Sequence, residues 1–184
     1  MEATQILMEE HRVIERVLGA LEAAGARMSA GESVRAEFLL EAVDFIAVFA
    51  DGCHHRKEEG VLFPALEAAG IPRAGGPVGV MLAEHEAGRA LTRGLRAAAE
   101  KMAAGDLSAA PEARRSALEY AALLRQHIMK EDHVLFPMAD GALQGREQTT
   151  VTAEFARLQR EETADGVQAK YRALAEALER EGRG

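Results

Sequence analysis

His54-His55-Arg56-Lys57-Glu58-Glu59-Gly60-Val61-Leu62-Phe63-Pro64 returns, in kind, as His127-Ile128-Met129-Lys130-Glu131-Asp132-His133-Val134-Leu135-Phe136-Pro137. In both stretches a histidine is followed four residues on by glutamate, and the glutamate five residues on by Phe-Pro. A step of four puts the two side chains about one turn apart on a single helix face. The repeat also extends upstream, because Glu10-His11 recurs as Glu84-His85 at nearly the same distance before His54 and His127. Each half therefore reads as a helical hairpin with a lone histidine on its first helix and His-x-x-x-Glu on its second.

Gly and Pro clusters divide the chain into helical pieces. Helices are expected at about 4–28, 33–69, 78–104 and 108–141, with the loop 73–77 before the third and Ser108 as an N-cap before Pro111. Beyond them, 147–162 reads as helical, and Asp165-Gly166-Val167-Gln168 has capping-box spacing before a last helix to about 179. Pro64 and Pro137 lie inside helical patterns, where a kink or local break is expected. The first four helices each carry an apolar stripe at steps of three and four, such as Leu7, Ile14, Leu18 and Leu21 in the first. Each stripe is interrupted by a histidine: His11, His54, His85 and His127. These stripes are the seams of an all-α, antiparallel up-and-down four-helix bundle. The expected organisation is a bundle over residues 1–145 and a helical extension over 146–184 that packs on it.

Packing the hairpins antiparallel brings His11, His54, Glu58, His85, His127 and Glu131 to one level of the core. Burying several imidazoles and two carboxylates among apolar side chains is strongly unfavourable unless cations neutralise them. One such intrusion has a local explanation; six in register point to metal. Two glutamates that bridge and four imidazoles suit a close pair of divalent or trivalent first-row ions, and these donors alone do not separate iron from manganese or zinc. Read singly, a His-x-x-x-Glu pair is a surface pair, and the Leu-Phe-Pro tails are packing elements. The recurrence sets the metal reading above a metal-free bundle.

Composition narrows the field. The chain has 184 residues, 48% of them hydrophobic, 28% charged and only 4% aromatic, with no tryptophan. This is the balance of a folded helical domain. A net charge of −8 argues against a nucleic-acid partner, and no apolar run reaches membrane-spanning length. The single cysteine, Cys53, excludes an internal disulfide. It reads as a small buried residue whose place beside His54 leaves a redox role open. The N-terminal residues Met1–Gln5 carry neither a basic run nor an apolar stretch, so a cytoplasmic setting is expected.

The signature formed by His11, His54, Glu58, His85, His127 and Glu131, with its Leu-Phe-Pro tails, resembles the hemerythrin-like, or HHE cation-binding, family over residues 4–141. The resemblance implies a non-haem, carboxylate-bridged centre of two iron ions. Glu58 and Glu131 would bridge, and His11, His54, His85 and His127 would be terminal ligands. It also implies a small diatomic or peroxide ligand in a sensing, scavenging or stress-response role, in a monomer or homodimer. Two departures stand out. Oxygen-carrying members have a second histidine four residues before the third-helix one, where this chain has Met81. They also use an aspartate five residues past the fourth-helix histidine, where Asp132 stands, although the internal repeat favours Glu131. His55 leads as substitute for the missing imidazole, although it points about 100° from His54 on an ideal helix; Tyr120 and Glu59 follow it. His133 falls off the seam. No His-Glu-x-x-His of a zinc protease and no Glu-x-x-His pairs of ferritin-like bundles occur. The rival class of function is a metal-responsive module in which occupancy controls stability or partner contacts with no chemistry at the metal; the C-terminal region 147–181 is the feature that motivates it.

Overall fold

The computed structural model describes residues 3–183, so the outermost residues of the two expected units, 1–2 and 184, lie outside it. Every regular element among the described residues is helical. Helix α1 spans Ala3–Ser29. Helix α2, Ala36–Phe45, runs on through π-helical segments at Ile46–His55 and Glu58–Leu62 into α3, Phe63–Ala68. Helix α4 spans Pro77–Ala103, and α5, Ala110–Lys130, continues through a π segment at Glu131–Leu135 into α6, Phe136–Ala142. Helices α7, Arg146–Ala164, and α8, Val167–Gly182, complete the chain.

The prolines explain two of the π segments. A proline inside an α-helix lacks the N–H for the i−4 carbonyl and its ring collides with that carbonyl. Glu58–Leu62 and Glu131–Leu135 stand immediately before Phe63-Pro64 and Phe136-Pro137. Their wider turns redirect the affected carbonyl, so the expected break becomes a bulge and the helix direction survives. Two caps differ from expectation. Asp106, not Ser108, caps the turn at Leu107–Ala109 by accepting from the Ser108 N–H. Helix α8 starts at Gly166 with φ +71 and no side-chain cap, and Gln168 turns instead to Glu162. Asp165 is better placed to end α7, and the left-handed turn that follows needs glycine.

The apolar interior is in two clusters. One holds Val13–Ala24 positions of α1, most of α2 and Leu95–Met102 of α4, together with Ala113–Ile128 positions of α5. The other holds Ile6, Leu7, Leu62, Phe63, Val78, Met81, Leu135 and Phe136. Between them, along every one of the four helical runs, lie His11, His54 with Glu58, His85, and His127 with Glu131. The runs cross this polar layer in alternating order of the two clusters. Helix α8 is no loose appendage. It lies against α1 and α2, and its Tyr171, Ala175 and Leu178 are buried in the larger cluster. At its end, a Cβ on Gly182 would stand 2.9 Å from the Ala20 Cα, so the approach to α1 is close enough to require glycine.

A candidate dinuclear metal centre

All six residues singled out by the repeat are buried and converge. Their donor atoms fall into two sets, His11, His54, Glu58 and Glu131, and His55, Glu58, His85 and His127, each with its donors within 4.8 Å of one another. Glu58 belongs to both, with one oxygen 3.4 Å from His54 Nε2 and the other 3.4 Å from His85 Nε2. Glu131 spans the layer as well, its Oε2 lying 3.2 Å from both His11 Nε2 and His127 Nε2. His55 joins the second set, and its ring stacks on His85 with centroids 3.8 Å apart. The π-helical segment makes this geometry: a turn that closes over five residues reduces the rotation between neighbours, so His54 and His55 both reach the core. An ideal-helix angle could not anticipate that. Met81 lies in the smaller apolar cluster.

Every one of the five imidazoles is fixed through its other nitrogen. The Nδ1–H groups donate to carboxylates: His11 to Asp132 at 2.7 Å, His54 to Glu10 at 3.1 Å and His55 to Asp51 at 3.2 Å. His85 donates to Glu59 at 2.7 Å and His127 to Glu84 at 3.0 Å. This arrangement sets the tautomer and turns each Nε2 lone pair toward the middle, as carboxylate–histidine–metal relays do. The internal repeat governs it. Glu10 and Glu84, each preceding the lone histidine of its half, hold the second-helix histidine of the same half. Asp132 and Glu59, each following a central glutamate, hold the lone histidine of the other half. Lys57, Lys130, Arg12 and Arg89 then pair with Glu10, Glu84, Asp132 and Glu59. Glu10 and Glu84 belong to the sequence repeat, and their identical place before each lone histidine is the signal in the sequence for this role.

The donor atoms themselves are left wanting. Both oxygens of Glu58 and of Glu131, and Nε2 of His11 and His54, are buried without a hydrogen-bond partner. The Nε2 atoms of His85 and His127 face each other at 3.0 Å. That is about the separation of two adjacent nitrogens bonded to one first-row ion at roughly 2.1 Å. Uncompensated groups of this kind cost about 1–3 kcal/mol each, more when charged. The residues present therefore fit a pair of cations.

Protons compete for the same nitrogens. Burial lowers His11, but its hydrogen bond to Asp132 and the nearby charges of Glu131 and Glu58 outweigh it and lift the imidazole to about 9. Burial likewise lowers His127, but the charges of Glu131 and Glu58 outweigh it and lift the imidazole to about 9. His54 is pushed well below its ordinary value by burial, and His55 to about 4 by burial despite Asp51. Coordination needs neutral imidazoles. Metal uptake at pH 7 should therefore expel about two protons per chain, those of His11 and His127, and affinity should climb with pH until about 9. Calorimetry in buffers of differing ionisation heat would measure the number; no proton release would contradict it.

Other residues fall outside the donor sets. His133 is exposed. Cys53 is buried, and burial with the Glu162 charge pushes its thiol up to about 12, so it stays protonated. Tyr120 is buried with an unpartnered hydroxyl, and burial pushes its pKa upward, so it stays protonated. It lines a cavity of about 230 Å³ that opens onto His55 and His85.

A helical chain whose core is crossed by two overlapping His/carboxylate sets belongs to the class of metal-binding helical domains. The Hemerythrin HHE cation binding domain matches residues 2–139, and the chain belongs to that family. Uncharacterized proteins of Mycobacterium bovis and of two strains of Mycobacterium tuberculosis are 32% identical to it over 135 residues, 73% of this chain. The chain spans about half the length of these relatives, 52%. No solved structure matches it. No described helix is long and apolar enough to cross a membrane.

Proposed function

We propose that this chain is a non-haem, carboxylate-bridged di-iron protein that binds or reacts with O2, NO or peroxide. In this reading residues 1–145 form an antiparallel up-and-down four-helix bundle, and 146–184 are a helical extension packed on it. The observation that carries it is the sharing of Glu58 by two buried donor sets, with Glu131 spanning them and the Nδ1 of each of the five core histidines held by a carboxylate. His11, His54, Glu58 and Glu131 would hold one ion; His55, Glu58, His85 and His127 would hold the other, with Glu131 shared. Two such ions, when bound, supply redox capacity and a coordination position for a small ligand. The protein's part is to hold the imidazoles in one tautomer, to keep bulk water out with the two apolar clusters, and to admit ligands through the cavity beside His55 and His85. Iron is the family's expectation; the imidazole and carboxylate donors alone would serve iron, manganese and zinc alike.

Elemental analysis and absorption spectroscopy of the purified protein test this. About two iron ions per chain and an azide-sensitive charge-transfer band are expected; a chain without stoichiometric metal would overturn the reading. The His55→Gln variant separates the two sites. It should retain about one ion, because only the second set loses an imidazole. Full retention would place His55 outside the ligands.

A second reading has its own support. Helix α7 reaches the centre through Glu162, which grips Lys57, which in turn grips Glu10, the partner of His54. Metal occupancy would then control how firmly α7 and α8 are held, with no chemistry at the ions. Hydrogen exchange in α7 and α8 that slows on loading, together with an absence of ligand-dependent spectral change, would favour it over the first.

A further inference from the structure

The cavity between α4, α5 and the Ile46–His55 segment is larger than a diatomic needs. Its volume is about 230 Å³, whereas a water-sized molecule takes roughly 30 Å³. Its inner end is formed by the buried His55, His85 and Tyr120, and its outer end by the exposed Arg93 and half-buried Arg96. Ile46, Ala47 and Leu124 supply apolar wall.

The charges along it are not all alike. Asp51 is held by Arg89 and His55. Glu84 is held by Lys130 and His127. Arg89 is spent on Asp51, Glu59 and Glu86. Arg93 and Arg96 have no hydrogen bond or ion pair among the described residues. They follow Arg89 on α4 at steps of four and three, where like charges repel. A chain of net charge −8 has carboxylates to spare, yet none is placed against this pair. At the other end, the Tyr120 hydroxyl is 2% exposed as a residue and lacks any partner. Leaving a buried hydroxyl unpaired is unfavourable unless something else satisfies it.

We infer that this cavity binds a small organic carboxylate whose far end carries a hydrogen-bonding atom. The carboxylate pairs with Arg93 and Arg96, the apolar stem lies along Ile46 and Leu124, and the polar end meets the Tyr120 hydroxyl beside His55 and His85. Planar guanidinium groups suit carboxylate recognition, and the stem buries apolar surface that a diatomic would leave in contact with water. None of Arg93, Arg96 and Tyr120 is among the proposed metal ligands, so the inference stands apart from the metal reading.

Titration calorimetry of the protein as purified, with 6-hydroxyhexanoate and its uncharged match 6-hydroxyhexanamide, tests it. Saturable binding of the carboxylate is expected, at least about tenfold tighter than the amide, since one charge-assisted contact is worth that factor. The double variant Arg93→Gln/Arg96→Gln should erase that preference without changing the melting temperature. Tyr120→Phe should weaken both ligands by roughly fivefold, the worth of one neutral hydrogen bond. Equal affinity for acid and amide, or a preference that survives the arginine variant, would overturn the site. So would binding that disappears on chelation yet ignores the arginine variant, since the carboxylate would then be sitting on the metal alone. Persistence of the preference after chelation would uphold the site even if the metal proved to have another role.

Discussion

Stripping metal from the purified protein with a chelator should lower its melting temperature by roughly 15–30 °C. An ion present at a thousand times its dissociation constant stabilises the folded state by about 4 kcal/mol, and two ions by about 8 kcal/mol. In a chain of this size each kilocalorie moves the midpoint by roughly 2–4 °C. The physical source of the loss is on view in the core. Four carboxylate oxygens of Glu58 and Glu131 are buried and unpartnered, and the Nε2 atoms of His85 and His127 stand 3.0 Å apart. Protonation of His11 and His127 replaces part of the missing charge, but it leaves Glu58 without a comparable donor. Scanning calorimetry before and after chelation, and after re-addition of ferrous ion, would measure the change. A shift of only a few degrees, unrestored by metal, would mean that the polar layer is balanced by other means.

The repeat in the sequence was enough to bring His11, His54, Glu58, His85, His127 and Glu131 together, because a step of four and an apolar seam specify which face of a helix is buried. The helices themselves were equally legible, with bounds that differ by a few residues at most. What the sequence hid follows from local backbone geometry. His55 was set about 100° away from its neighbour by ideal-helix reasoning, and only the π-helical segment Ile46–His55 brings it to the centre. A π segment has no composition of its own; Pro64 and Pro137, where the sequence predicts a kink or break, mark two of the three among the described residues. Ser108 and Asp165 had the residue types of caps without filling that role, since capping depends on backbone dihedrals that residue type only biases. The carboxylates that fix the imidazoles were visible as residues but ambiguous as partners: Asp132 serves His11, from the opposite half, and nothing in a linear spacing pairs positions so far apart. The contribution of α7 was hidden for the same reason.

That contribution yields a sharp contrast between two lysines in equivalent places of the repeat. Lys57 and Lys130 each stand three residues past a histidine and each pairs with the glutamate that holds it. Lys130 is one-third exposed, with a side-chain exposure of 33%, so its pair with Glu84 is screened by water. Lys57 is wholly buried, because α7 and α8 cover that side of the molecule, and its ammonium donates to Glu10 at 3.0 Å, to the Cys53 carbonyl at 3.2 Å and to Glu162 at 2.7 Å. Gln168 completes the cluster by donating to Glu162 at 2.6 Å. Lys57→Met would leave two buried carboxylates facing each other without a cation. The expected cost is about 3–5 kcal/mol, against about 1 kcal/mol or less for Lys130→Met. The loss should also reach the metal. Freed of Lys57, Glu10 no longer holds His54 Nδ1 in a fixed place, and disturbing such a partner commonly costs 10–100-fold in affinity, here for the ion of the His11 and His54 set. Adding Glu162→Gln to Lys57→Met should restore part of the stability, because one of the two stranded charges is removed. Urea denaturation of the two single variants and the double, with metal content measured on each, would decide the matter. Equal stabilities for Lys57→Met and Lys130→Met would show that the halves of the repeat remain equivalent despite α7, and that the extension plays no part in holding the centre.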